Sequence, residues 1–259
     1  MSTHSTRGPS KVSSSRGLFT VLAAAVWASC VATAQAAGVA PNSGRLTDTG
    51  ITAQQCYAAG SNTLVSCRSK AAKQLNRHQD GMIGRDVDDR AGLRGRLGFY
   101  YSKIGTDGRA LPVEATEWSC VKDKITGLMW DVQRGKFGTY TNWGDRRAGD
   151  ASVIVASVNA AGLCGHKDWR LPTALELQSL VDYGVEAFES DQNVTIDAAF
   201  FPGTWHGPSY SSNVYWTSSP VVDFPDGAWS VDFKTGYVTG DYSRSDSFHV
   251  RLVRVSEGN

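Results

Sequence analysis

Cysteine placement constrains this chain more than any other feature. Of its five cysteines, Cys30 lies in an N-terminal apolar run, Leu18 to Ala34, and the other four, Cys56, Cys67, Cys120 and Cys164, come after it. Arg7, Lys11 and Arg16 precede the run without any acid, and Ala34-Gln35-Ala36 places small residues where signal peptidase cuts, so residues 1–36 read as a secretory signal peptide. The run is alanine-rich and short of the roughly 20 apolar residues of a membrane span. A lipoprotein reading is weak, because Trp27-Ala28-Ser29-Cys30 lacks the aliphatic residue three before the cysteine. Export leaves an even number of cysteines in an oxidising compartment, which favours disulfides in one of three connectivities. The expected pairs are Cys56 with Cys67 and Cys120 with Cys164. No two cysteines have the two-to-four-residue spacing of a structural zinc site, so no metal is expected there.

Charge narrows the partners. The whole chain carries +1, and signal removal takes three basic residues with it, so nothing favours a nucleic acid. No later segment is long and apolar enough for a membrane span. Periplasm, cell surface and medium are all open as destinations.

Residues 37–96 are rich in Gly, Ser, Thr, Asp and Arg with little apolar periodicity, and read as an irregular leader around the first cysteine pair, without a core of its own. Aromatic density rises from Leu97, and residues 97–259 form the expected main domain. Asp150 can cap a helix running to Ala161, with Val153, Ile154 and Val158 inward and Gly162 as its stop. Thr173 and Glu176 make a capping box for a second helix, with Leu177, Leu180 and Val181 facing the core and Gly184 ending it. Trp229 to Phe233 alternates apolar with polar residues before the Lys234-Thr235-Gly236 turn, as in a hairpin, and Phe248 to Val255 alternates as a last strand. The expected class is α+β, a loop-rich domain with two short helices packed on antiparallel strands.

Trp118-Ser119-Cys120-Val121, Thr126-Gly127-Leu128-Met129-Trp130, Gly162-Leu163-Cys164-Gly165, Asp168-Trp169-Arg170-Leu171-Pro172-Thr173, Tyr215-Trp216-Thr217-Ser218-Ser219, Ala228-Trp229 and Val250-Arg251-Leu252-Val253-Arg254 stand in an order that resembles the Lcl C-terminal domain family over residues 97–256. The resemblance implies a fold similar to C-type lectins and the formylglycine-generating enzymes, with neighbouring ends, on an exported bacterial protein. The family is named for a surface adhesin thought to bind sulfated polysaccharides. This sequence has no Gly-x-y run, so multivalent binding is not implied. It lacks the Glu-Pro-Asn and Gln-Pro-Asp motifs of calcium-dependent sugar binding, and its last cysteine is Cys164, which excludes formylglycine-type cysteine chemistry near the C-terminus.

Trp130, Trp169, Arg170, Trp216, Trp229 and Arg251 are expected to be structural, since aromatics dominate cores. Recognition is placed instead in the 218–247 loops, where Asp223, Asp226, Tyr237, Asp241, Tyr242, Arg244 and Asp246 combine stacking faces with hydrogen-bonding groups. The paired aspartates keep a structural calcium as an alternative, although no known calcium loop is repeated. His78, His166, His206 and His249 form no metalloprotease pair and no nucleophile elbow occurs, so no catalytic residue is assigned. The expected function is an exported non-enzymatic recognition domain for a glycan or an envelope or host protein, without a cofactor; the alternative is a structural or assembly component of a cell-envelope apparatus.

Overall fold

The first cysteine pair closes a small structure of its own. Strands β1 (Cys56–Tyr57) and β2 (Leu64–Val65) pair antiparallel, with Cys56 opposite Val65. The Cys56–Cys67 disulfide joins them to α1 (Lys70–Leu75), capped by Ser69 accepting from Ala72 N–H. Cys56, Cys67 and Ala72, with Val65 and Met82, make a buried cluster, so the leader does have a core, contrary to the sequence expectation. A disulfide accounts for this, because it replaces the apolar area that so short a segment lacks. Hydrogen bonds tie the segment to the main domain: Tyr183 N–H donates to Thr49 O (2.8 Å) and Gln55 Nε2 to Gly184 O (3.0 Å).

The computed structural model describes residues 46–84, 98–132, 138–185, 194–204, 207 and 213–256, all within one unit, Val39–Asn259. The segment read as a signal peptide lies outside the described residues. Among the described residues no helix is long and apolar enough to cross a membrane.

Two antiparallel sheets carry the main domain, which is mixed α and β with few helices. The first has the order β3 (Tyr101–Ile104), β4 (Cys120–Asp123), β5 (Leu128–Asp131), β9 (Val253–Val255), so the last strand closes against the third of the domain rather than against its sequence neighbour. Between β5 and β9 come α2 (Ala151–Ala161) and α3 (Ala174–Gln178), then the second sheet, β6 (Val214–Val221), β7 (Phe224–Asp232) and β8 (Val238–Thr239). The main core lies between the sheets. Val121, Trp130 and Val253 meet Tyr215, Val231 and Phe233 there, with Leu177 and Leu180 sealing one side. The Cys120–Cys164 disulfide fastens the turn after α2 to β4.

Capping explains both helices. Asp150 accepts from Ser152 N–H at the start of α2, and Gly162, at φ 68°, ends it. The buried face differs by one position from expectation: Ile154, Val155 and Val158 pack inward, while Val153 is exposed. The Thr173–Glu176 capping box is complete, but α3 stops at Gln178 instead of running to Gly184. Leu180 and Val181 leave the helix through tighter turns onto Leu177 O and Gln178 O, and both remain buried.

The predicted last strand is also shorter, because its partners change along its length. Phe248 bridges Tyr140, His249 bridges Tyr215, and regular pairing holds only over Val253–Val255. Neither side faces solvent: Val250, Arg251 and Leu252 are all essentially fully buried.

Candidate functional site

Beyond β8 the chain folds back along β7. Gly227 and Ser243 form an antiparallel bridge, and Arg244 N–H donates to Asp226 O at 2.7 Å. Arg244 is thereby aimed at a turn about a hundred residues earlier. Its Nε donates to Asn142 O (2.7 Å), its Nη2 to Trp143 O (2.8 Å), and its guanidinium lies 4.9 Å from the centre of the Trp143 ring. Asn142 Nδ2 in turn donates to Thr217 O on β6 (2.9 Å). Asn142, Ser218, Pro220, Pro225, Ala228 and Arg244 line a shallow cleft of about 210 Å³ between the turn and the ribbon.

Asp150 holds that turn in shape. Besides capping α2, its carboxylate accepts from Trp143 N–H (2.7 Å), Gly144 N–H (3.2 Å) and the Thr141 hydroxyl (3.1 Å). Burial alone would raise its pKa. The bonds from Ser152, Trp143 and Thr141 outweigh burial and hold it below the usual carboxylate range, so Asp150 stays ionised. The outcome is a 40 % exposed tryptophan on a well-braced loop, a surface onto which a sugar ring or an apolar side chain can stack.

The expected recognition residues are divided by this geometry. Asp226, Asp241, Tyr242, Arg244 and Asp246 belong to the folded-back segment and the stretch of β7 beside it. Tyr242 packs edge-on against Phe248 at 4.6 Å. Burial, with Asp232, Asp241 and Asp246 nearby, raises its phenol pKa, leaving it a hydrogen-bond donor. Asp241 accepts from the Thr239 hydroxyl (2.6 Å) and Asp246 from Ser243 N–H (2.9 Å), so both carboxylates serve local turns. Tyr237 is 65 % exposed but sits past the far end of β7, where its carbonyl accepts from Asp232 N–H. Asp232 lies six positions along β7 from Asp226, about 20 Å at strand rise. Asp223, at the β6–β7 turn, is exposed. Asn142 and Trp143 are additions; the only sequence signal for them is a tryptophan in a Thr-Asn-Trp-Gly turn just ahead of a helix cap.

The residues expected to be structural divide as well. Trp130, Trp169 and Trp216 are buried, with Trp169 Nε1 donating to Leu163 O and Trp216 Nε1 to Tyr140 O. Arg170 makes a two-pronged bond to Glu176 (2.6 and 2.8 Å). Arg251 is fully buried among Phe201, Tyr215 and Phe233. Trp229 departs from expectation at 38 % exposed. Strand alternation gives it the same face as Val231 and Phe233, but it lies further out along the ribbon, past the end of the main core on that face.

Among the described residues no three metal-ligating side chains converge, and the paired aspartates do not come together as a calcium cage. His249 is buried with Nδ1 3.0 Å from Gly138 O; His206 lies outside the described residues.

Residues 119–254, somewhat more than half of the chain, match the family model of the Lcl C-terminal domain. No curated protein and no solved structure matches the chain.

Proposed function

Because the chain belongs to the Lcl C-terminal domain family, we propose that it is an exported, non-enzymatic recognition domain that binds a glycan through the cleft between the Asn142–Trp143 turn and the 218–247 segment. The single observation that carries this reading is the exposed Trp143 ring with the guanidinium of Arg244, a lining residue of the cleft, 4.9 Å from its centre. An aromatic face next to a guanidinium offers a sugar ring both stacking and hydrogen-bond donors. A cleft of about 210 Å³ suits one terminal sugar, not a long chain. Further support is that the turn is prebuilt by Asp150, so binding would cost little ordering. The architecture belongs to the same proposal: a C-type-lectin-like domain, in keeping with the first and last strands of the domain sharing one sheet. Export is supported by two disulfides.

The test is a glycan array probed with wild-type protein and with Trp143→Ala. Saturable binding to a defined terminal sugar, weakened at least about tenfold in the variant, with unchanged thermal unfolding, is the expected result. A blank array for folded wild-type protein overturns glycan binding and leaves the envelope-assembly alternative.

A further inference from the structure

One face of the β3-β4-β5-β9 sheet is only half covered. The registers place Ser102 opposite Lys122, Lys122 opposite Met129, and Met129 opposite Arg254, so these four side chains form one row across four strands on one face. One residue pair further along, Ile104, Cys120 and Leu252 are roofed by Trp169 and the inward side of α2, with the Cys120–Cys164 disulfide as the fastening. In the other direction the roof ends. A cleft of about 280 Å³ opens there, bordered by Lys122, Lys124, His166, Arg254 and Ser256.

Arg254 is the unusual member. Its side chain is only 4 % exposed, yet it borders the cleft. Nε donates to Asp168 Oδ1 at 2.7 Å, its one side-chain bond among the described residues, where the two terminal nitrogens have no hydrogen-bond partner. Those nitrogens are not fully enclosed, and the residue lines the cleft. A guanidinium fixed by one edge and offering the other is preorganised for an oxyanion. Lys122 is next but one to it in the row, and Lys124, just past the end of β4, borders the cleft with its ammonium 5.1 Å from the centre of the Tyr100 ring. Asp168 offsets one of these three cations, leaving two positive charges at the cleft.

We propose that this cleft is a second binding site, separate from the Trp143–Arg244 cleft, that takes a phosphate group through the free edge of Arg254 and the ammonium groups of Lys122 and Lys124. Two surplus cations match a phosphate monoester near neutral pH, which carries between one and a half and two negative charges. Such a group arrives either as free phosphate or on a lipid headgroup.

Titration calorimetry of the purified protein with inorganic phosphate, and co-sedimentation with phosphatidylcholine vesicles with and without phosphatidic acid, test the proposal. Wild-type protein is expected to bind phosphate saturably, or to sediment only with the phosphatidic acid vesicles; the first result assigns a free ion and the second a headgroup. Lys122→Ala/Lys124→Ala, two changes at the cleft edge, is expected to weaken the interaction at least about tenfold and to leave glycan-array binding unchanged. Arg254→Lys keeps the charge but loses the fork and is expected to weaken it as well. Absence of binding in both wild-type formats, unchanged affinity in the double variant, or equal affinity for sulfate at pH 8 overturns the proposal.

Discussion

Replacing Arg251 by lysine keeps the charge and removes the shape. The native guanidinium donates from Nη1 to Asp131 O (3.1 Å) and from Nη2 to the Thr204 hydroxyl (2.8 Å). It lies 4.9, 5.6 and 6.0 Å from the ring centres of Phe201, Tyr215 and Phe233, while Nε has no partner among the described residues. A lysine ammonium is shorter and is a point donor; it can satisfy one of the two acceptors and cannot lie flat on three rings. One lost hydrogen bond from a charged donor is worth about 1.5–3 kcal/mol, and reduced contact with desolvated rings about 1 kcal/mol more. Arg251→Lys should therefore cost about 3 kcal/mol, equivalent to a fall in Tm of roughly 6–12 °C for a chain of this size. Urea unfolding of the disulfide-intact protein, monitored by tryptophan fluorescence, measures it. A loss below about 0.5 kcal/mol would refute the reasoning, since any buried cation would then serve. Arg251→Met, which removes the charge but strands both acceptors, separates charge burial from hydrogen bonding.

Two further predictions concern stability. Burial alone would raise the Glu176 pKa, but Arg170 and the Thr173 N–H hold it below its ordinary value. A depressed folded pKa gives stability that is complete above the unfolded value and is lost as pH falls through the folded one, so wild type should lose this contribution below about pH 4. Glu176→Gln should be less stable at pH 7 and show a flatter acid limb in unfolding titrations from pH 7 to 2; parallel curves would count against the pair. For the Cys120–Cys164 bridge, a sequence separation of 44 gives about 4 kcal/mol in the chain-entropy treatment. Cys120→Ser/Cys164→Ser should lose that order of stability in urea, and unreduced wild-type protein should label with no thiol reagent at these positions.

Local signals in the sequence were sufficient wherever a few neighbouring residues decide the conformation. Asp150 and Gly162 bound α2, and Thr173 with Glu176 starts α3, because caps satisfy backbone groups within one turn. The Cys56–Cys67 pair, the antiparallel strands and the family were legible for similar reasons: a short loop to close, period-two alternation, and a run of Trp and Arg motifs in order; Cys120–Cys164 is then the pair that remains. Position along an element was harder to read. The exposure of Trp229 depends on how far the main core extends along its face of the β6–β7 ribbon, and α3 ends early, with Leu180 and Val181 buried from the tight turns that follow it. The sequence pointed to Arg244 and the 218–247 loops, but the neighbours that complete both candidate sites are products of tertiary structure. Arg244 meets Trp143 across 101 positions, and Lys122 and Arg254 share a row only because β9 returns to pair with β5. Sequence patterning states which side chains an element presents; which of them become neighbours depends on strand order and chain reversal, and those are set by burying the whole core at once.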